Sequence, residues 1–152
     1  MFGITALLAL IATSSYVSCN SRVGMAIVFS CPHPESRFTV QLWEEDRFSP
    51  DDIISEKKTY GFESFEESTT VIFDAEQDGD ELASRAFTFY MTVEHNCVIE
   101  GNKVLNAKLY LNPPCPVGKY CNYTFHVDLD HLHGESGIHS RTDEWIDNFI
   151  RQ

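Results

Sequence analysis

Between Phe87 and Cys97 the chain alternates strictly. Phe87, Phe89, Met91, Val93 and Cys97 share one side of an extended segment, and Thr88, Tyr90, Thr92, Glu94 and Asn96 share the other. Successive side chains of a strand point to opposite faces, so this segment has one side to bury and one side to wet. Four further segments repeat the pattern: Val23 to Cys31, Phe38 to Trp43, Leu105 to Leu111, and Cys121 to Leu129. Ile53 to Tyr60 and Glu66 to Asp74 read as weaker strands, the second with poor alternation because Val71, Ile72 and Phe73 are adjacent. No long helical crossover separates these segments, which excludes a parallel α/β sheet and predicts two packed sheets sharing one core. The fold expected is therefore all-β, a sandwich over residues 20–130.

The two ends differ from this pattern. Gly3 to Ala12 is an apolar run without charge, leading into the small and polar TSSYVSC, the layout of an export leader ending near residue 19. The apolar run is shorter than the ~20 residues that a spanning helix needs, so no transmembrane segment is expected. At the other end, residues 131–152 read as a tail. Within it Trp145, Ile146, Phe149 and Ile150 recur at helical spacing behind Ser140, which predicts a short helix that covers the sandwich or binds a partner.

If Cys19 leaves with the leader, Cys31, Cys97, Cys115 and Cys121 remain, and an even number of cysteines in an exported chain implies two disulfides. All 11 basic and 23 acidic residues lie beyond the leader, giving a formal charge of −12. Such a surface repels nucleic-acid phosphate and anionic lipid, leaving basic, cationic or neutral partners.

Cys31, the stretch FTVQLWEEDRFSPDDIISEKKTYG from Phe38 to Gly61, and the segment from Ser84 that closes on His95-Asn96-Cys97 together resemble the nematode transthyretin-like family of secreted proteins. The resemblance implies a transthyretin-type sandwich of seven to eight strands, an extracellular location and no defined chemistry. It also favours a tie from the first strand to the HNC element, that is Cys31 with Cys97, leaving Cys115 with Cys121. The four cysteines by themselves permit three pairings. The sequence departs from the family at Cys31-Pro32-His33-Pro34-Glu35 and at Thr59-Tyr60-Gly61-Phe62, where the family carries glycine-containing polar turns. The hydrolytic relatives of transthyretin end in Tyr-Arg-Gly-Ser, whereas this chain ends in Ile150-Arg151-Gln152.

No catalytic constellation emerges from the residues: no GxSxG serine, no phosphate-binding glycine loop, and no HExxH helix. The expectation is a non-enzymatic extracellular binding or signalling module that needs no cofactor. A small-ligand or metal-binding carrier is the alternative. The expected partner is an extracellular protein, a cell surface or a small hydrophobic ligand, met by a monomer or a homodimer. Trp43, Tyr60, Phe62 and Phe65 are candidate exposed aromatic anchors, against the ordinary use of aromatics as sandwich core. His131 and His133 lie in a histidine-rich stretch and could ligate zinc or copper, against a solvated loop. The acidic stretch Glu44, Glu45, Asp46, Asp51 and Asp52 reads as a solvated turn, with a calcium site as its alternative. Asn122-Tyr123-Thr124 is an N-glycosylation motif whose asparagine faces away from the core.

Overall fold

The computed structural model describes residues 20–47, 49–63, 67–78, 85–98 and 103–139. The expected leader, Phe65 and the helical part of the expected tail lie outside them.

Two sheets form as the alternation demands. Strand β1 (Asn20–Ser30) is central in a three-stranded sheet, antiparallel to β5 (Ser68–Asp78) and parallel to β9 (Tyr120–Asp128). The larger sheet is built on β2 (Arg37–Glu45), β6 (Ala86–His95) and β7 (Leu105–Asn112), all antiparallel to their neighbours, with β10 (Gly134–His139) added parallel to β7. Two short strands, β3 (Asp52–Ile53) and β4 (Lys58–Gly61), pair with the other edge of β2, and β8 (Cys115–Pro116) pairs with the start of β6.

The inward side chains of both sheets make one core. Met25, Ile27, Phe29, Phe73 and Tyr123 from the small sheet meet Val40, Leu42, Phe89, Met91 and Leu109 from the larger one. Phe29 and Phe38 cross the gap between the sheets with ring centroids 4.7 Å apart. The Tyr123 hydroxyl donates to the carbonyl of Pro113 at 2.7 Å, and burial pushes its pKa up to about 12.

Both disulfides join one sheet to the other. Cys31, just past β1, is bonded to Cys97, just past β6, with 6.0 Å between Cα atoms. Cys115 in β8 is bonded to Cys121 in β9, at 5.9 Å. Because Cys115 pairs with Phe87 at the start of β6 and Cys97 follows its end, the two bonds staple opposite ends of that strand. The short loop between β8 and β9 turns at Gly118, whose φ of 72° suits a residue without Cβ, and its amide donates to Ser21 Oγ at 2.7 Å.

The structure revises several sequence expectations. The weak third segment is two short strands, because Ile54 and Ser55 both turn their amides onto the carbonyl of Leu42. Strand β5 is regular over its length: Val71 and Phe73 point inward, and Ile72 points out and is 42% exposed. The larger sheet also continues beyond residue 130. After a 3-10 turn at Leu129–His131, capped by the Asp128 carboxylate on the amide of Asp130, the chain re-enters the sheet as β10.

Candidate binding groove on the outer face of the larger sheet

The phase that buries Phe38, Val40 and Leu42 turns Thr39, Gln41, Trp43 and Glu45 outward on β2. The register then sets Trp43 beside Tyr90 and Tyr90 beside Tyr110, an aromatic row across three strands. The Trp43 and Tyr90 rings are parallel, with centroids 6.1 Å apart, and Tyr110 is tilted against Tyr90 at 5.7 Å. Next to this row come Gln41, Thr92 and Lys108, and then Thr39, Glu94 and Asn106. Trp43 and these six side chains, together with Lys57 and Glu135, line an open groove of about 470 Å³, with Tyr90 and Tyr110 beside it, within the size range of small-ligand sites.

Hydrogen bonds and charge hold the walls and the tyrosines beside them. The indole Nε1–H of Trp43 donates to Thr92 Oγ1 at 3.1 Å. The Tyr90 hydroxyl donates to Asp51 Oδ2 at 2.7 Å and the Tyr110 hydroxyl to Glu45 Oε1 at 3.0 Å. Lys108 Nζ lies 3.7 Å from the centre of the Tyr90 ring and 4.8 Å from that of Tyr110, a cation on two electron-rich faces. Burial works against its charge, but the hydrogen bond to Tyr110 and the nearby carboxylates of Glu45 and Asp51 raise its pKa overall. Burial, and then the bond to Asp51, push the Tyr90 hydroxyl well above its ordinary value. Lys57 sits 3.6 Å from Glu94, and Lys108 4.0 Å from Glu45, so each groove lysine has a carboxylate of its own.

Phe65 lies outside the described residues; of the other three expected aromatic anchors, Trp43 alone lines this groove. Phe62 is buried, 4% exposed, with its ring 5.3 Å from Phe38, so it is core and not a surface anchor. Tyr60 is half-buried and stacks on Phe38 at 5.3 Å; burial raises its pKa. The ordinary use of aromatics as sandwich core thus describes Phe62 and, in part, Tyr60; just beyond β4 the amide of Phe62 bonds the carbonyl of Ser36.

The histidines divide differently from their sequence clustering. His131 and His133 are exposed, and among the described residues no three His, Cys, Asp or Glu side chains converge as a metal site. His95, absent from the expected candidates, is the buried one, 2% exposed. The alternation that places Val93 and Cys97 inward places His95 inward too, and that was the available signal. Its Nε2 lies 2.8 Å from the carbonyl oxygen of Leu132, which can only accept, so Nε2 carries the proton. Nδ1 is buried with no partner among the described residues. His33 approaches Asp130 at 3.3 Å, so two histidines hold the turn that leads into β10.

The acidic stretch is not a uniformly solvated turn. Glu44 is 2% exposed on the inward phase of β2, Glu45 and Asp51 accept from tyrosines, and Asp51 also accepts from the amide of Asp46 at 3.2 Å. Asn122 faces outward on the small sheet, in register with Gly24 and across the molecule from the groove.

Fold and groove thus define a disulfide-tied, two-sheet β protein with a largely polar groove on the outer face of its larger sheet. No helix among the described residues is long and apolar enough to cross a membrane. No family model, no curated protein and no solved structure matches the chain.

Proposed function

We propose that the chain is a secreted, non-enzymatic binding module that recognises its partner with the outer face of the larger sheet. The observation that carries this reading is the groove across β2, β6 and β7, whose walls are already held by the Trp43–Thr92 hydrogen bond and the Lys57–Glu94 ion pair. A site whose side chains are held before binding loses little conformational entropy when it closes on a ligand. Two inter-sheet disulfides fit an oxidising compartment, and the apolar leader fits export to it. The formal charge of −12 argues against nucleic acid. Kinship with the nematode transthyretin-like proteins is part of the same proposal. Its VQLWEED block supplies Gln41 and Trp43 to the groove, and its HNC element supplies Cys97 to the staple.

A glycan on Asn122 belongs to this reading and would stand on the opposite sheet, leaving the groove free. Intact mass before and after enzymatic removal of N-linked glycans tests it, and an unchanged mass rejects it.

The experiment for the module is saturable binding of the labelled, disulfide-intact protein to intact cells, repeated with Asn106→Trp. Asn106 is an exposed groove residue, and the new indole fills the groove without touching the core. The expected result is competition by unlabelled protein and a loss of about tenfold or more in affinity for the variant. Equal binding by both proteins would remove the groove from the account.

A further inference from the structure

We infer that the groove takes a neutral saccharide, displayed on a cell-surface or matrix glycoconjugate; this rests on the groove being the module's binding face. A sugar ring is amphipathic. Its C–H faces pack on flat aromatic rings, while its hydroxyls lie around the rim and need planar donors and acceptors. The groove offers both kinds of surface side by side. Trp43 stands at one end as a rigid platform, fixed by its bond to Thr92 and its stacking beside Tyr90. Gln41, Thr39, Glu94 and Asn106 extend from it along two further rows, each carrying hydrogen-bonding groups on the outward face.

The other ligand chemistries fit less well. An apolar molecule would cover these amide, carboxylate and hydroxyl groups without pairing them, and each group left unsatisfied weakens binding. An anionic sugar would have to take Lys57 from Glu94 and Lys108 from Glu45, and a cationic ligand would meet the same carboxylates already held by lysines. With two lysines, Glu94 and Glu135 lining it, the groove is locally balanced in charge although the whole chain is strongly acidic. An extended peptide adding a strand would need an open sheet edge, and this groove is a face.

The test is a backbone-amide NMR titration of the disulfide-intact secreted chain. The probes are neutral oligosaccharides of the N-acetylglucosamine, mannose and galactose types, with a sulfated polysaccharide fragment for contrast. The expected result is a saturable shift of the amides at 39–43, 92–94 and 106–108 with at least one neutral series and none with the sulfated one. Trp43→Ala should lower the affinity by about tenfold or more, and Asn106→Ala should lower it measurably. Because Asn106 is exposed, its variant remains informative even if Trp43→Ala is unstable. No saturable shift with any neutral sugar, or shifts confined to β5, β1 and β9, would overturn the inference. Cell binding that survives enzymatic stripping of surface glycans would overturn the saccharide and leave the binding face standing. Absence of binding to untreated cells would instead count against the module itself.

Discussion

His95 is kept neutral by its surroundings. Its one hydrogen-bonding proton is committed to Leu132, and a second proton on Nδ1 would be buried with nothing to accept it. Burial lowers its pKa below the ordinary value, with the bond to Leu132 opposing in part. The unfolded chain therefore binds a proton that the folded chain refuses. Stability from this residue is fully present above the free-histidine value of about 6.5 and is lost as the pH falls from there toward the lower folded value. Urea midpoints measured from pH 8 to pH 5 should fall more steeply for the native protein than for His95→Gln, which keeps a donor for Leu132 but does not titrate. Parallel curves would show that His95 does not contribute. Asp74, whose pKa is lowered first by its hydrogen bond to Arg22, acts in a different window: its contribution is lost only below the ordinary carboxylate range. The two effects separate on the pH axis.

At the scale of strands, alternation made both faces of β1, β2, β6, β7 and β9 readable from the sequence, including the outward position of Trp43. It could not supply register, because a period of two is the same wherever a strand slides by two residues. The row Trp43, Tyr90 and Tyr110 therefore became visible only once the strands were paired. Strands β8 and β10 escaped for another reason. Cys115–Pro116 is too short to alternate, and GESGIH is recruited by pairing with β7 and not by its own pattern.

Two substitutions probe elements directly. Tyr90→Phe removes the hydroxyl that ties β6 to Asp51 and should cost about 1 kcal/mol in chemical denaturation, with the ring row kept. In the small sheet a Cβ on Gly24 would lie 2.8 Å from Asn122 Oδ1 and 2.9 Å from the Tyr120 hydroxyl, so any larger residue in β1 there must push the ends of those two side chains aside. Gly24→Val should destabilise by about 1 kcal/mol, the low end for overpacking, since the neighbours that must shift are side-chain ends. A change below the error of the denaturation curve would mean that the two side chains move aside freely.

For the whole molecule, the disulfides decide whether the two sheets act as one body. Closing a loop of sequence separation 66 restricts the unfolded chain more than closing one of 6. The loop-entropy relation gives about 4 kcal/mol for Cys31–Cys97 and about 2 kcal/mol for Cys115–Cys121. Replacing Cys31 and Cys97 together by Ala should accordingly lower stability about twice as much as replacing the other pair, as read from urea denaturation. The same staples leave the outer face of β2, β6 and β7 uncovered, since both lie between the sheets.

The most direct measurement of the central claim places a photo-crosslinking side chain at one of two exposed positions, Asn106 in the groove or Thr70 on the outer face of the small sheet. Illumination of the disulfide-intact protein bound to intact cells should yield a covalent adduct from position 106 that unlabelled native protein competes away, and none from position 70. Adducts from position 70 alone, or equally from both, would contradict the groove as the recognition face.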